Sequence, residues 1–116
     1  MRAIPFVVAG LLLVLPGAVM AHKPVMDMKS QTEMSSSSQA YMSGMKSMHN
    51  GMMSAIKDPD ADKAFAKGMI EHHKGALSMA ETELRYGKDP EMRKMAEDVI
   101  RAQTAEIKQL ESWLKK

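Results

Sequence analysis

The chain is predicted to be all-α, an antiparallel helical bundle built from three long helices. Apolar residues recur three or four positions apart in three consecutive segments, which is the spacing of one face of a helix. Turns that contain Asp, Pro and Gly separate these segments. Acidic residues begin the third segment and lysines end it, as the helix dipole favours.

The boundaries of the helices follow from their capping residues. The helices are expected at residues 40–57, 61–86 and 90–115. Residues 58–60 read Asp-Pro-Asp, which should end the first helix and cap the second. Gly87 should end the second helix, with Asp89 as the N-cap and Pro90 as the first residue of the third.

The lengths of the helices predict how they pack. Helices two and three are nearly equal in length and joined by a tight turn, so they should form an antiparallel hairpin. Helix one is shorter and cannot cover their whole apolar seam. Either the preceding segment adds a short fourth helix, or two chains pair as a homodimer.

The amino-terminal segment has the pattern of an export signal. Residues 1–21 combine Arg2, an apolar run and a small-residue site at Ala21, which is typical of a cleavable signal peptide. Residues 22–39 are expected to form a flexible tail rich in Met and Ser, ahead of a helical domain at 40–116. We therefore expect a periplasmic protein with no membrane segment after cleavage. The net charge of +2 at pH 7 gives no basis for nucleic-acid binding.

Methionine is the only sulfur-containing residue type in this chain. The chain has 14 Met and no Cys, against two Phe, two Tyr and one Trp. Disulfides, thiolate metal sites and cysteine catalysis are therefore excluded. Because Met specifies a core poorly, core packing alone would not favour it so heavily over Leu.

Methionine and histidine side chains lie on the apolar faces of helices one and two. Met69 precedes His72 by three residues and His73 by four, so their tips can converge on one face. Helix one repeats these residue types at the same spacings. Thioether and imidazole donors together favour copper. The candidate metal ligands are Met42, Met45, Met48, His49, Met52, Met69, His72, His73 and Met79.

Helical geometry limits which ligands can share an ion. His72 and Met79 lie about 10.5 Å apart along the helix axis and cannot share one. The favoured site therefore joins Met69 and His73, or His72, to one or two ligands of helix one. Gln103 lies within the apolar face of helix three, and Glu106 lies beside it. They are either a surface pair or the group that accepts the free N–H of a ligand histidine.

The second helix also resembles a known family. Residues 65–80, centred on Met-x-x-His-His-x-x-Ala, resemble the signature of the domain-of-unknown-function 305 family, which includes CopM-like periplasmic copper-binding proteins. Residues 84–90 and 100–107, with Trp113-Leu114, are similar to the rest of that pattern. The resemblance implies a ferritin-like bundle, export, and Met69, His72, His73 and Met79 as metal residues. Glu71 stands where family patterns often have Pro, which leaves helix two unbroken.

The expected function is capture of Cu(I), with Ag(I) as a second soft ion, for buffering, resistance or delivery to another periplasmic copper protein. The alternative is a non-metal helical envelope protein that binds polypeptides through an adaptable Met-rich face. No catalysis is expected. A di-iron enzyme would need Glu three residues before a histidine, and neither His72 nor His73 has one.

Overall fold

The structure, a computed structural model, describes residues 34–116 and is all-α over that range. The helices are α1 (Ser36–Ala55), α2 (Ala61–Tyr86) and α3 (Pro90–Leu114). The predicted all-α bundle with three long helices is confirmed. The predicted signal peptide and tail residues 22–33, which would include any short fourth helix, lie outside the described residues.

Each helix begins at a side chain that caps its free backbone amides. Ser35, Asp60 and Asp89 accept hydrogen bonds from the backbone N–H three residues later. Pro90 follows Asp89 at the first position of α3, where a missing N–H does no harm. The predicted caps of α2 and α3 are confirmed. Helix α1 begins four residues earlier than predicted because Ser35 supplies a cap inside the serine run.

The end of α2 is stabilised by a residue of the following helix. Gly87 ends α2 as predicted, but its φ of −73° is not left-handed. The Arg93 guanidinium instead donates to the carbonyl oxygens of Leu84 at 2.8 Å and Gly87 at 3.0 Å. A cation at a helix C-terminus is favourable for the helix dipole. Arg93 therefore fixes the turn that makes α2 and α3 an antiparallel hairpin.

Helix α2 occupies the centre of the fold. Helices α1 and α3 each pack against it, and no Cα atom of α1 lies within 8 Å of a Cα atom of α3. The residues of α2 that meet α1, such as Gly75, lie about 160–200° around the helix from those that meet α3, such as His73. The three helices therefore form one open layer, with α1 and α3 on opposite sides of α2.

Small residues bring α1 close to α2. A Cβ atom at Gly44 would overlap the Ser78 side chain, and one at Gly51 would overlap Glu71. From the other side, a Cβ atom at Gly75 would overlap Met48. These contacts pair positions in descending order, which makes α1 antiparallel to α2. The seven-residue spacing between Gly44 and Gly51 places both glycines on the same side of α1.

The buried core of this layer is small. Among the described residues, no large side chain is fully buried. The buried apolar residues are Ala55, Ala66, Ile70, Ala80, Ala96 and Ile107. Four of these six are alanines, so most of the large apolar side chains retain contact with solvent.

Candidate metal centre

A buried histidine and a carboxylate meet between α2 and α3. The side chain of His73 is only 9% exposed, and its Nε2 lies 2.6 Å from Oε2 of Glu106. A carboxylate can only accept a hydrogen bond, so the proton in this contact belongs on Nε2. The other ring nitrogen, Nδ1, is buried and has no hydrogen-bond partner. His73 therefore carries an oriented imidazole with one nitrogen uncommitted.

Met69 lies one helical turn before His73 and shares a groove with it. The groove between α2 and α3 is lined by Phe65, Met69, His73, Glu106, Gln109 and Leu110. Met69 is half-buried there. The structure thus brings Met69, His73 and Glu106 together. Glu106 contacts His73, which agrees with one of the two roles that the sequence left open for it, whereas the half-buried Gln103 leaves its buried amide oxygen without a partner.

The structure does not bring the helix-one ligands to His73. His73 points towards α3, because Gly75 and its neighbours occupy the opposite side of α2 against α1. Of the α1 candidates, Met48 packs on Gly75 inside the α1–α2 contact. Met52 is half-buried. Met42, Met45 and His49 are exposed. The side chains that the structure places beside His73 therefore come from α2 and α3, and the combination of His73 with α1 ligands is not formed.

His72 takes a different position from its neighbour. It is exposed, and its ring lies 5.9 Å from that of His73, tilted by 59°. Successive residues of a helix differ by about 100° in direction, so the two imidazoles cannot both face α3. The structure therefore separates one buried histidine, in contact with a carboxylate, from one solvent-exposed histidine.

Three methionines line a second groove, which we call the methionine groove. It holds Met79 of α2 with Met92 and Met95 of α3, and Tyr41 of α1 closes one side. These three Met side chains are 53%, 42% and 54% exposed, in that order. Sequence analysis missed Met92 and Met95 as donors, although their i,i+3 spacing was a usable signal.

The layer has two chemically different faces. The methionine face carries Met45, Ile56, Phe65, Met79, Met92, Met95 and Trp113, all of them exposed. Tyr41 lines the methionine groove with α2 and α3, and Met45 and Ile56 lie within about 60° of it around α1, on the same side. The opposite, polar face forms a groove lined by Ser43, Ser47, Glu71, Lys74, Ser78, Glu81 and Arg85.

Residues 34–116 contain no group of three or more histidine or carboxylate side chains placed to hold a metal ion. Over the same range, no helix combines the length and apolar character needed to cross a membrane.

Comparison with known proteins extends the geometry just described. A family model described as "Domain of unknown function (DUF305)" matches residues 15–114, which is most of the chain. The chain belongs to this family. It is also 38% identical over 53 residues to a protein of Acanthamoeba polyphaga mimivirus described as uncharacterized protein L153. That match covers 46% of this chain and about a third of the viral protein, at 35%. Neither description gives an activity, so the function must be argued from the site.

Proposed function

We propose that this protein captures Cu(I), with Met69 and His73 as donors and Glu106 as the group that orients the imidazole. The observation that carries the proposal is the buried Nδ1 of His73, which has no partner although Nε2 contacts a carboxylate. Buried polar atoms are almost always hydrogen-bonded, so an unpartnered one calls for an explanation. A metal ion that accepts the Nδ1 lone pair would supply the missing partner.

The donor chemistry supports a soft ion. A carboxylate that holds the second ring nitrogen of a ligand histidine fixes its tautomer and raises its basicity, which is the common arrangement around bound metals. Thioether sulfur selects Cu(I) over oxygen-seeking ions such as Mg²⁺ or Ca²⁺. Ag(I) shares this preference. The proposal places the protein in the periplasm, where the predicted signal peptide would direct it.

The methionine groove supports a second, sulfur-only binding mode. Met79, Met92 and Met95 offer three thioethers that are 42–54% exposed in the single chain, where an ion can reach them. A thioether has no proton to lose, whereas imidazole ligation competes with protonation. Exchange between an oriented Met-His site and a sulfur-only site suits buffering, or delivery to another periplasmic copper protein.

Competition with a Cu(I) chelator under anaerobic conditions tests the main site. Met69→Leu removes the sulfur at nearly constant volume, a swap that stability usually tolerates. We expect it, and His73→Gln, to weaken Cu(I) binding by about tenfold or more. Met53→Leu is the matched control, because Met53 is 46% exposed on α1 and belongs to neither groove. Equal affinities for all three variants and the natural protein would refute the proposed ligands.

The pH dependence of binding separates the two modes. Protons compete with a metal ion for an imidazole nitrogen but not for a thioether sulfur, so lowering the pH to about 5 should weaken binding at the Met69–His73 site and spare sulfur-only binding. Binding that survives at that pH should disappear when Met79, Met92 and Met95 are all replaced by Leu. If the triple variant binds as the natural protein does at acid pH, the groove is not a copper site.

One observation favours a second function. The exposed methionine face is also the kind of adaptable surface that binds polypeptides or a partner helix. Copper titration followed by mass spectrometry distinguishes the two functions. A polypeptide-binding surface predicts no stoichiometric, saturable metal uptake, and it predicts binding of an unfolded polypeptide that metal chelators leave unchanged.

A further inference from the structure

We infer that the methionine face is the interface of a homodimer, in which a second copy of the chain supplies the missing layer of the fold. The inference goes beyond the proposed function and does not depend on copper. Stable domains bury the apolar face of each layer against another layer. Here the three described helices form a single layer, and no large side chain among residues 34–116 is fully buried.

The area of the face matches what a dimer requires. Seven large apolar side chains of the methionine face are each 40–64% exposed. If a fully exposed large side chain has a surface of about 200 Å², these seven side chains together expose on the order of 700 Å² of apolar surface. The largest patch on an ordinary monomer is about 300–600 Å², whereas a stable interface buries about 800 Å² on each partner. The exposed surface therefore exceeds that of a typical monomer and approaches that of a dimer.

Charge is distributed as such an interface needs. The polar face carries Lys74, Glu71, Glu81 and Arg85, so it can remain in water. The methionine face has its apolar residues along α2 and the adjoining sides of α1 and α3, and the carboxylates that line its two grooves are Glu83 and Glu106. A patch that meets its own copy across a two-fold axis must be self-complementary, and flexible Met side chains adapt readily to that requirement.

If the predicted signal peptide is removed after Ala21, the segment that then precedes the described residues is too short to cover this face. As a single helix, residues 22–33 would extend about 18 Å, whereas the 26 residues of α2 extend about 39 Å. One such helix would cover part of the methionine groove and leave Phe65 and Trp113 at the other end uncovered. Two layers of three helices would cover the whole face.

Analytical ultracentrifugation of the metal-free protein, with chelator present, tests the inference. We expect a mass of two chains, and we expect Met95→Glu to give a single chain with unchanged helicity by circular dichroism. Met95 is 54% exposed in the single chain, so a carboxylate there does not disturb a monomer's core. Thr104→Glu is the matched control, since Thr104 is exposed on the other side of α3 and should leave the dimer intact.

Tryptophan fluorescence gives a second, independent measurement. Trp113 is the chain's single tryptophan and lies on the methionine face, 40% exposed. Its emission should shift to the red as the dimer is diluted from about 100 µM towards dissociation. A natural protein that is monomeric at that concentration would overturn the inference. So would equal dissociation by Thr104→Glu. Emission that is blue-shifted and independent of concentration in a monomer would mean that the face is covered within one chain.

Discussion

Replacement of Glu106 gives a direct test of the contact that orients His73. Glu106→Ala removes the carboxylate 2.6 Å from Nε2 of a side chain that is 91% buried, and Nδ1 already has no partner. A buried donor left without an acceptor destabilises a protein by about 1–3 kcal/mol. Because Glu106 itself is 52% exposed, water can replace part of the contact, so we expect about 1 kcal/mol.

The same substitution should affect metal binding more than stability. Loss of the group that holds a ligand histidine usually weakens metal affinity by about 10–100-fold. Glu106→Gln keeps an acceptor of nearly the same reach but loses the charge, so its effect should be smaller than that of Glu106→Ala. Urea denaturation of the metal-free protein measures the stability difference, as a shift in midpoint with unchanged slope. Chelator competition measures the affinity.

The two measurements separate a positioning role from a structural one. A structural role alone predicts that the loss of stability appears and that Cu(I) affinity stays constant in both variants. The reasoning about the site is refuted if Glu106→Ala leaves both the urea midpoint and the affinity at their natural values. Restoration of affinity by Glu106→Gln but not by Glu106→Ala would support the oriented imidazole.

Two further predictions concern α1 and its turn. Gly75→Ala should destabilise the fold by about 1–3 kcal/mol, because the new Cβ would overlap Met48, including the Cβ of that residue at 3.0 Å. Gly68→Ala is the control. It should be neutral or stabilising by up to about 1 kcal/mol, since the atom nearest to the new Cβ would lie 4.0 Å away. Equal urea midpoints for both variants would contradict the close packing of Gly75 on Met48. The Lys67 ammonium, which donates to the carboxylate of Asp58 at 2.6 Å, lowers the pKa of Asp58 below its ordinary value of 3.8. The ionised Asp58 side chain therefore stabilises the fold above pH 3.8, and this stabilisation is lost as the pH falls through the pKa of the folded state. Asp58→Asn should lower the urea midpoint at neutral pH and have no effect at about pH 2. A destabilisation that is the same at both pH values would exclude the ion pair as its cause.

Local signals in the sequence were sufficient to predict the helices. Asp60, Asp89 and Pro90 each act within a few residues, and the structure uses all three as predicted. The start of α1 was less predictable, because any serine of the run 35–38 could cap it. Because capping involves residues that are close in sequence, caps can be predicted without knowledge of the fold.

The face of each helix that packs against its neighbour could not be predicted from such local signals. Apolar periodicity placed the Met and His residues of α1 against α2, yet Gly44 and Gly51 make the contact and Met45 faces solvent. Close approach of two backbones requires small residues, and hydrophobicity scales give glycine no weight in such a contact. The spacing of the glycines would have been the better guide.

The neighbours of His73 were only partly predictable from the sequence. Met69 and His73 share a groove, as their i,i+4 spacing indicated. Glu106 contacts His73, which is one of the two roles that the sequence left open for it. Which helix completes the site depends on the rotation of α2 about its axis. That rotation is determined by long-range packing, which a periodic pattern on one helix does not contain.

The glycine-lined contact also sets the order in which parts of the molecule open. Helix α1 contributes one buried residue, Ala55, whereas α2 contributes seven. Backbone amides become exposed to solvent through the opening that has the lowest free energy, and a helix held by so few buried atoms detaches first. Amide protons of α1 should therefore exchange with deuterium well before those of α2. The α2–α3 hairpin, with Arg93 fixing its turn, would remain folded meanwhile and keep His73 beside Glu106.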